Sequence, residues 1–231
     1  MKKIVVFTGA GISKESGIDT FRDSKDGLWM NYNVDEVASK DGWNKNEELV
    51  TQFYNARRKQ LKDVFPNDAH KALAKLEEQY DVTIVTQNVD NLHERGGSTN
   101  IIHLHGELNK VRCQANDDMI IQWDTDVTKN DKCSCHGLSL RPHIVWFGEG
   151  VDVLPAENAF KSADIVIVCG TSFNITYTFG LVRNCNKETE IHYVDPNPVD
   201  WVYHKEVFKN VTYYKESATS GMKKVLIKLM K

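Results

Sequence analysis

The sequence has no apolar run approaching the roughly 20 residues that a membrane-spanning helix needs. No membrane partner is therefore expected. It has no basic excess either. Lys and Arg number 29 against 32 Asp and Glu, a formal net charge of −3, so charge supplies no footprint for nucleic acid. Cysteine is scarce: five among 231 residues is a low and odd count. A disulfide framework is not expected, and reduced thiols or a metal site fit better. The basic start Met1-Lys2-Lys3 leads into an apolar run of residues 4–7 only. A secretory signal needs a longer apolar core, so a cytoplasmic location is expected. No internal repeat and no low-complexity segment is present. What is there is ordinary globular chemistry, with 41% hydrophobic and 26% charged residues. The length suits one large domain, or a domain carrying a smaller inserted one.

Short β-branched runs at residues 4–7, 82–85, 165–169 and 191–194 suit strands buried on both faces of a parallel sheet. Each hands over to a polar segment: TGAG, TQNVD, GTS and DPNP. Ligands bind beyond the carboxyl ends of such strands. Between them, residues 67–78 start with an Asn/Asp cap and carry Ala69, Leu73 and Leu76 on one side, which predicts a helix. Residues 222–230 predict a closing amphipathic helix with Val225, Leu226 and Leu229 inward. Two stretches break the alternation: 23–65, with helical spacing from Glu47 to Leu61, and 109–142, polar and holding three cysteines. The expected fold class is α/β: a Rossmann-like domain over 1–22, 66–108 and 143–231, with 23–65 and 109–142 as two modules of an inserted small domain.

Gly9 and Gly11 follow the first strand, as in a turn that cradles a pyrophosphate. The third glycine, Gly17, comes later than the usual fingerprint wants, and FRDSKDGLW after it is not a second strand ending in an acid. That disfavours a hydride-transferring dehydrogenase; a plain tight turn is the other reading. Gln87, Asn88 and Asp90 directly follow a buried strand and can grip a carboxamide, a ribose hydroxyl or a water. Asn88 or Asp90 can equally cap a helix. His103 and His105 lie two apart, on one face of an extended segment. His105, before Gly106, is the better placed base. No acid or third histidine stands at a spacing that completes a metal site. RPHIVWFGEG reads as an extended stretch, either a core strand or an edge that takes a peptide by strand addition. Tyr54 and Arg57 are three apart on a helical stretch, so phenol and guanidinium share a face and can receive a carboxylate. A solvated basic face over Arg57, Arg58 and Lys59 is the alternative.

Together GAGIS…ESGI…TFR, TQNVDNLH, HLHGE and RPHIVWFGE resemble, in order and over nearly the whole chain, the sirtuins. These are the Sir2-type NAD-dependent protein deacylases, and the small bacterial CobB-type members are the most similar. The resemblance implies NAD held between a Rossmann-type domain and a small domain with a helical and a zinc-ribbon-like module. It places Gly9, Ala10, Gly11 and Ile12 at the pyrophosphate, and Phe21 and Arg22 near the ribose and reacting centre. Gln87 falls at the nicotinamide ribose, and Asn88 and Asp90 at the nicotinamide pocket. Gly170, Thr171, Ser172, Asp195 and Ala218 fall on the adenosine side. It implies that an acyl-lysine carbonyl oxygen attacks the ribose carbon as nicotinamide leaves, with His105 as general base. The products are free lysine, nicotinamide and O-acyl-ADP-ribose. Val145, Phe147, Gly148 and Glu149 match the strand that binds the acyl-lysine protein substrate. The Tyr-x-x-Arg of Tyr54 and Arg57 is similar to the desuccinylase and demalonylase branch, so succinyl- and malonyl-lysine are expected beside acetyl-lysine.

Departures from the family are expected to matter. Its zinc site is two Cys-x-x-Cys pairs, but here Asn116 partners Cys113, Lys132 stands at the third position and Cys133 is displaced by one. Cys113, Cys133, Cys135 and His136 remain as a candidate Zn2+ set; a metal-free module is the alternative. Asp195 replaces a usual Asn. Asp19 stands where others carry Pro or a basic residue. Residues 173–180, FNITYTFG, replace a Val-x-Pro pattern, so Ile175 or Tyr177 must fill that space. An NAD glycohydrolase or ADP-ribosyltransferase, and an NAD-binding sensor without turnover, are the competing functions. The sequence does not set the oligomeric state; a monomer is compatible with it.

Overall fold

The computed structural model describes residues 1–18, 32–199 and 209–231, so Asp19, Phe21 and Arg22 lie outside the described residues. Among those described, nine strands form two sheets: β1 (Lys3–Thr8), β2 (Asp81–Thr86), β3 (Ile101–His103), β4 (Gly106–Cys113), β5 (Ile120–Gln122), β6 (Leu140–Ile144), β7 (Ile165–Cys169), β8 (Glu190–Val194) and β9 (Val211–Tyr214). The larger sheet runs β3-β2-β1-β7-β8-β9, with every pairing parallel. Counted among its own strands this is 3-2-1-4-5-6, the doubly wound Rossmann order, which reverses between β1 and β7. The smaller sheet, β5-β4-β6, is antiparallel.

The helices are α1 (Val34–Val37), α2 (Lys40–Lys45), α3 (Glu47–Asp63), α4 (Asp68–Leu76), α5 (Leu92–Arg95), α6 (Leu154–Lys161), α7 (Thr176–Val182) and α8 (Ala218–Leu229). Alternation along β1 explains the layers. Ile4 and Val6 face a core closed by Leu73 and Leu76 of α4 and Met222 and Val225 of α8. Val5 and Phe7 face the opposite core with Phe160 of α6 and Leu181 of α7. A third core joins Val50, Phe53 and Tyr54 of α3 to Leu108 of β4 and to Trp146. No described helix is long and apolar enough to cross a membrane.

The α4 cap stands as expected: Asn67 Oδ1 accepts from Ala69 N at 2.9 Å, and His70 Nδ1 reaches back to Asn67 N at 3.3 Å. The last helix differs from expectation. It starts at Ala218, and its buried residues are Ala218, Gly221, Met222 and Val225, with Leu226 and Leu229 only partly covered. The cause is tertiary. Glu15 accepts from Thr219 N at 2.9 Å, Ser217 Oγ at 3.0 Å and Thr219 Oγ1 at 2.7 Å. A carboxylate some 200 residues upstream thus closes the first turn. The polar stretch 109–142 carries most of β4 and all of β5; β4 is buried at Gly106, Leu108, Val111 and Cys113, an alternation broken at Asn109 and Lys110, which is why no strong period shows in the sequence.

Candidate active site

Three glycines knit the point where the strand order reverses. After Thr8 the chain makes two short 3-10 turns, Ala10–Ile12 and Lys14–Ser16. Gly9 N donates to Cys169 O at 3.2 Å and Gly11 N to Gly170 O at 2.9 Å. A Cβ on Gly9 would stand 2.7 Å from Gly170 O, and one on Gly11 2.7 Å from Gly170 Cα. Gly170 has φ +66, and a Cβ there would reach within 2.3 Å of Ile12 N. These glycines are required first by loop-to-loop backbone packing, a demand separate from both a pyrophosphate cradle and a plain tight turn. The late Gly17 ends the second turn at φ +91, which explains its odd spacing. Ile12 and Ala218 are buried in the core, so neither offers its side chain to a ligand. Ser172 is exposed beside Asn174, whose amide donates to it. Asp195 Oδ1 accepts from Asn197 N at 2.8 Å, and partial burial pushes its carboxyl up.

β2 delivers Gln87, Asn88 and Asp90 to the same edge. Ser13 Oγ donates to Asp90 Oδ2 at 3.0 Å and accepts from Asn88 Nδ2 at 3.2 Å. Asp90 Oδ1 accepts from Leu92 N at 3.1 Å. Asp90 therefore does the capping, while Asn91, at the position before α5, makes no side-chain cap bond. Burial pushes the Asp90 carboxyl up, and the Leu92 and Ser13 bonds pull it down. Gln87 Nε2 donates to Thr171 Oγ1 at 2.9 Å, joining the loops after β2 and β7. Beneath, Thr8 Oγ1 donates to Thr86 Oγ1 at 2.8 Å and lies 2.9 Å from His93 Nε2. Two side-chain amides and a buried carboxylate make a donor and acceptor set that fits a carboxamide and sugar hydroxyls.

The two histidines separate by their second nitrogen. His103 Nδ1 lies 3.2 Å from Asn88 O, and His105 Nδ1, in the turn after β3, lies 2.9 Å from Gln87 O. A carbonyl only accepts, so both rings carry a proton on Nδ1. His103 Nε2 faces Glu94 Oε1 at 2.7 Å. Burial pulls its pKa down, but the Glu94 bond and charge outweigh that and the net direction is up. His105 Nε2 faces Tyr177 Oη at 2.6 Å. Burial lowers its pKa against the Gln87 bond, leaving a neutral ring with its lone pair on Nε2, as a base requires. Glu94, His103 and Glu107 bring ligand atoms within 4.8 Å of one another, a proximity that sequence spacing hid. Lys110 Nζ, 2.6 Å from Glu107 Oε2, already supplies a cation there.

On α3, Tyr54 and Arg57 share a face, with Arg57 Cζ 5.9 Å from the Tyr54 ring centroid. Burial lowers the Arg57 guanidinium, while Tyr54 and Asp90 hold it up. Tyr54 Oη accepts from Trp146 Nε1 at 3.1 Å, and burial pushes its phenol up. The alternative of a solvated basic face holds fully for Lys59 alone: Arg57 is half-buried, and Arg58 is 3% exposed and donates to Leu108 O at 3.3 Å.

The segment after β6 is stretched between the two parts of the chain. Val145 N donates to His105 O at 3.0 Å and Phe147 N to Ala38 O at 3.0 Å. Phe147 is 58% exposed and Gly148 has φ +87, so they form an outer ledge. Glu149 turns inward. It accepts from Arg141 at 2.7 and 2.9 Å and from Trp146 N at 2.9 Å, while the Arg141 guanidinium lies 3.5 Å over the Trp146 ring. Its carboxylate buttresses the ledge from within.

Cys113, Cys133, Cys135 and His136 place ligand atoms within 4.8 Å of one another, with Cys113 Sγ 3.7 Å from His136 Nδ1. Tetrahedral zinc, with bonds of about 2.3 Å to sulfur and 2.0–2.1 Å to nitrogen, sets such atoms roughly 3.6 Å apart, so the cluster fits it. The two departing residues take other work: Asn116 Oδ1 accepts from Asp118 N at 3.0 Å, and Lys132 Nζ donates to Ser139 Oγ at 2.7 Å.

The family profile described as Sir2 family matches residues 9–177. The chain belongs to the Sir2 family. It is 46% identical over 231 residues to an NAD-dependent protein deacylase of Helicobacter pylori, covering 100% of this chain and 98% of that one. To the protein of that name in Escherichia coli K12 it is 48% identical over 199 residues, 82% of this chain and 68% of the other. A solved Sir2 homologue in complex with NAD superposes with a TM-score of 0.84 at 35% identity, covering 99% of this chain and 90% of that one. A mutant Sir2 homologue in complex with 2′-O-acetyl ADP ribose gives 0.83 at 35% identity, with 99% and 92% covered.

Within this Sir2 member, sequence reasoning missed two partners. Ser13 bonds both Asn88 and Asp90, and its signal was its place in GAGIS after the glycines. Tyr177 was expected only to fill space, yet its hydroxyl meets His105.

Proposed function

We propose that this Sir2 chain is an NAD-dependent protein-lysine deacylase that accepts acetyl-, succinyl- and malonyl-lysine. The observation that carries the reading is His105, a half-buried neutral imidazole aimed from the carboxyl edge of the parallel sheet, with Nδ1 fixed by Gln87 O at 2.9 Å. NAD would supply the electrophilic ribose carbon and the departing nicotinamide. The chain's own residues divide the remaining work. Asn88 and Asp90, locked through Ser13, would hold the carboxamide and keep bulk water out. Gln87, anchored on Thr171, would meet the ribose. His105 Nε2 would take the proton of a ribose hydroxyl. Gly9, Ala10, Gly11 and Gly170 would offer backbone to the pyrophosphate, and Ser172 and Asp195 would line the adenosine side. Val145, Phe147 and Gly148 would form the ledge for the peptide, with Glu149 bracing it. The product would be O-acyl-ADP-ribose.

Nicotinamide release is the direct test. It should depend on the acylated peptide; release at the same rate without peptide would favour a glycohydrolase.

The acyl preference rests on Tyr54 and Arg57, whose side chains meet beside Asp90. A charge-assisted hydrogen bond contributes about 1.5–3 kcal/mol. Arg57→Met is therefore expected to cut desuccinylation at least about tenfold and spare deacetylation. Equal loss of both activities would remove the carboxylate-receptor role.

The pH profile follows from His105. A general base works in its neutral form, so activity falls as pH drops through its pKa. Burial sets that pKa below the ordinary 6.5. The acid limb of kcat/KM should therefore have its midpoint below pH 6.5, and a midpoint above that value would contradict the assignment.

A further inference from the structure

We propose that Tyr177 is a positioning residue that occupies the lone pair of His105 until a ribose hydroxyl displaces it. The inference rests on the reading of His105 as the base. With Nδ1 committed as donor to Gln87 O at 2.9 Å, Nε2 is the single acceptor on the ring, and Tyr177 Oη at 2.6 Å is the hydroxyl that donates to it. Burial pushes the phenol up to about 12, so Tyr177 is a neutral donor at physiological pH and no rival base. A hydroxyl that is to lose its proton to Nε2 must lie where the Tyr177 hydroxyl lies. The two exclude each other.

The surrounding chain favours a swinging side chain over a moving helix. Upstream, Thr171 O accepts from Tyr193 Oη at 2.8 Å, and Thr171 Oγ1 accepts from Gln87 Nε2 at 2.9 Å and Phe173 N at 3.3 Å. Phe173, at φ +53, stacks on Phe7 with ring centroids 5.6 Å apart. A non-glycine residue persists in that region only where its surroundings over-determine it. Downstream, Leu181 and Val182 are fixed in the core. Between these anchors the phenol can leave by rotating about its own bonds. The free chain thus holds its base capped, and the reacting hydroxyl uncaps it. Apparent affinity is reduced by the fraction of chains that are capped.

ADP-ribose is the probe, titrated by calorimetry into the full chain and into Tyr177→Phe, which keeps the ring and removes the hydroxyl. Tyr177→Phe is expected to lower Kd about threefold to tenfold, the span of one net hydrogen bond. In the ligand-free chain, 15N spectra of the imidazoles should show His105 protonated on Nδ1. Tyr177→Phe should shift its Nε2 resonance while Nδ1 stays, a signature that a purely structural tyrosine would not produce. A Kd left unchanged or weakened by Tyr177→Phe, or an unmoved Nε2 resonance, would overturn this inference and leave the deacylase reading standing. ADP-ribose binding by neither protein would remove both.

Discussion

Replacing His105 by alanine is expected to lower deacylation at least about 100-fold while the chain still folds and still binds ADP-ribose. A positioned general base contributes roughly 10²–10⁴-fold, and His105 is the histidine at this edge whose Nε2 carries a lone pair. His103 is no substitute, since it donates from both nitrogens, to Asn88 O and to Glu94. The fold should survive because the His105 side chain bonds to Gln87 O and Tyr177 Oη at the edge of the site, and its backbone carbonyl still receives Val145 N. The measurement is kcat/KM on an acyl-lysine peptide beside a thermal melt. A melt unchanged and a rate within threefold of the parent would take His105 out of the chemistry.

The second large effect concerns the cysteine cluster. Cys135→Ser is expected to take the chain from one bound zinc to none and to cost on the order of 3 kcal/mol, a fall in Tm of roughly 6–12 °C for a chain of this size. The hydrophobic cluster around the thiols has five buried members: Val111, Cys113, Val127, Cys133 and Leu140. So few side chains cannot hold a module together, and two of them are the thiols themselves. Cys135 is the informative position because it is exposed: its loss removes a ligand without opening the core. Metal analysis by mass spectrometry, with a calorimetric melt, checks both halves. A parent chain without zinc, or a Cys135→Ser protein that melts with the parent, would show that the module stands without a metal.

Much of this was legible in the sequence, for a physical reason in each case. The inner strands β1, β2, β7 and β8 are largely buried on both faces, so they read as continuous apolar runs with polar loops after them, whereas the edge strands β3 and β9 are not fully buried and did not. The α4 cap was legible because it is local, set by Asn67 and His70 alone. What escaped is what depends on distant partners. The start of α8 is set by Glu15, and no period in residues 215–222 carries that information. The glycines of the first loop answer to Gly170, over 150 residues away. Glu149 lies in an exposed-looking FGE run, and only the fold brings Arg141 and Trp146 around its carboxylate. The pairing of Tyr177 with His105 spans α7 and the turn after β3, two elements whose contact no spacing predicts. The zinc cluster was legible only through resemblance, because a Cys-x-Cys-His knuckle closes it where the family has Cys-x-x-Cys.

The central claim is that this chain moves an acyl group from lysine to ADP-ribose. Incubating the protein with NAD and a succinyl-, malonyl- or acetyl-lysine peptide, and weighing the products by mass spectrometry, tests it most directly. The account predicts free-lysine peptide, nicotinamide and O-acyl-ADP-ribose in equal amounts; ADP-ribose formed while the peptide keeps its acyl group would contradict it.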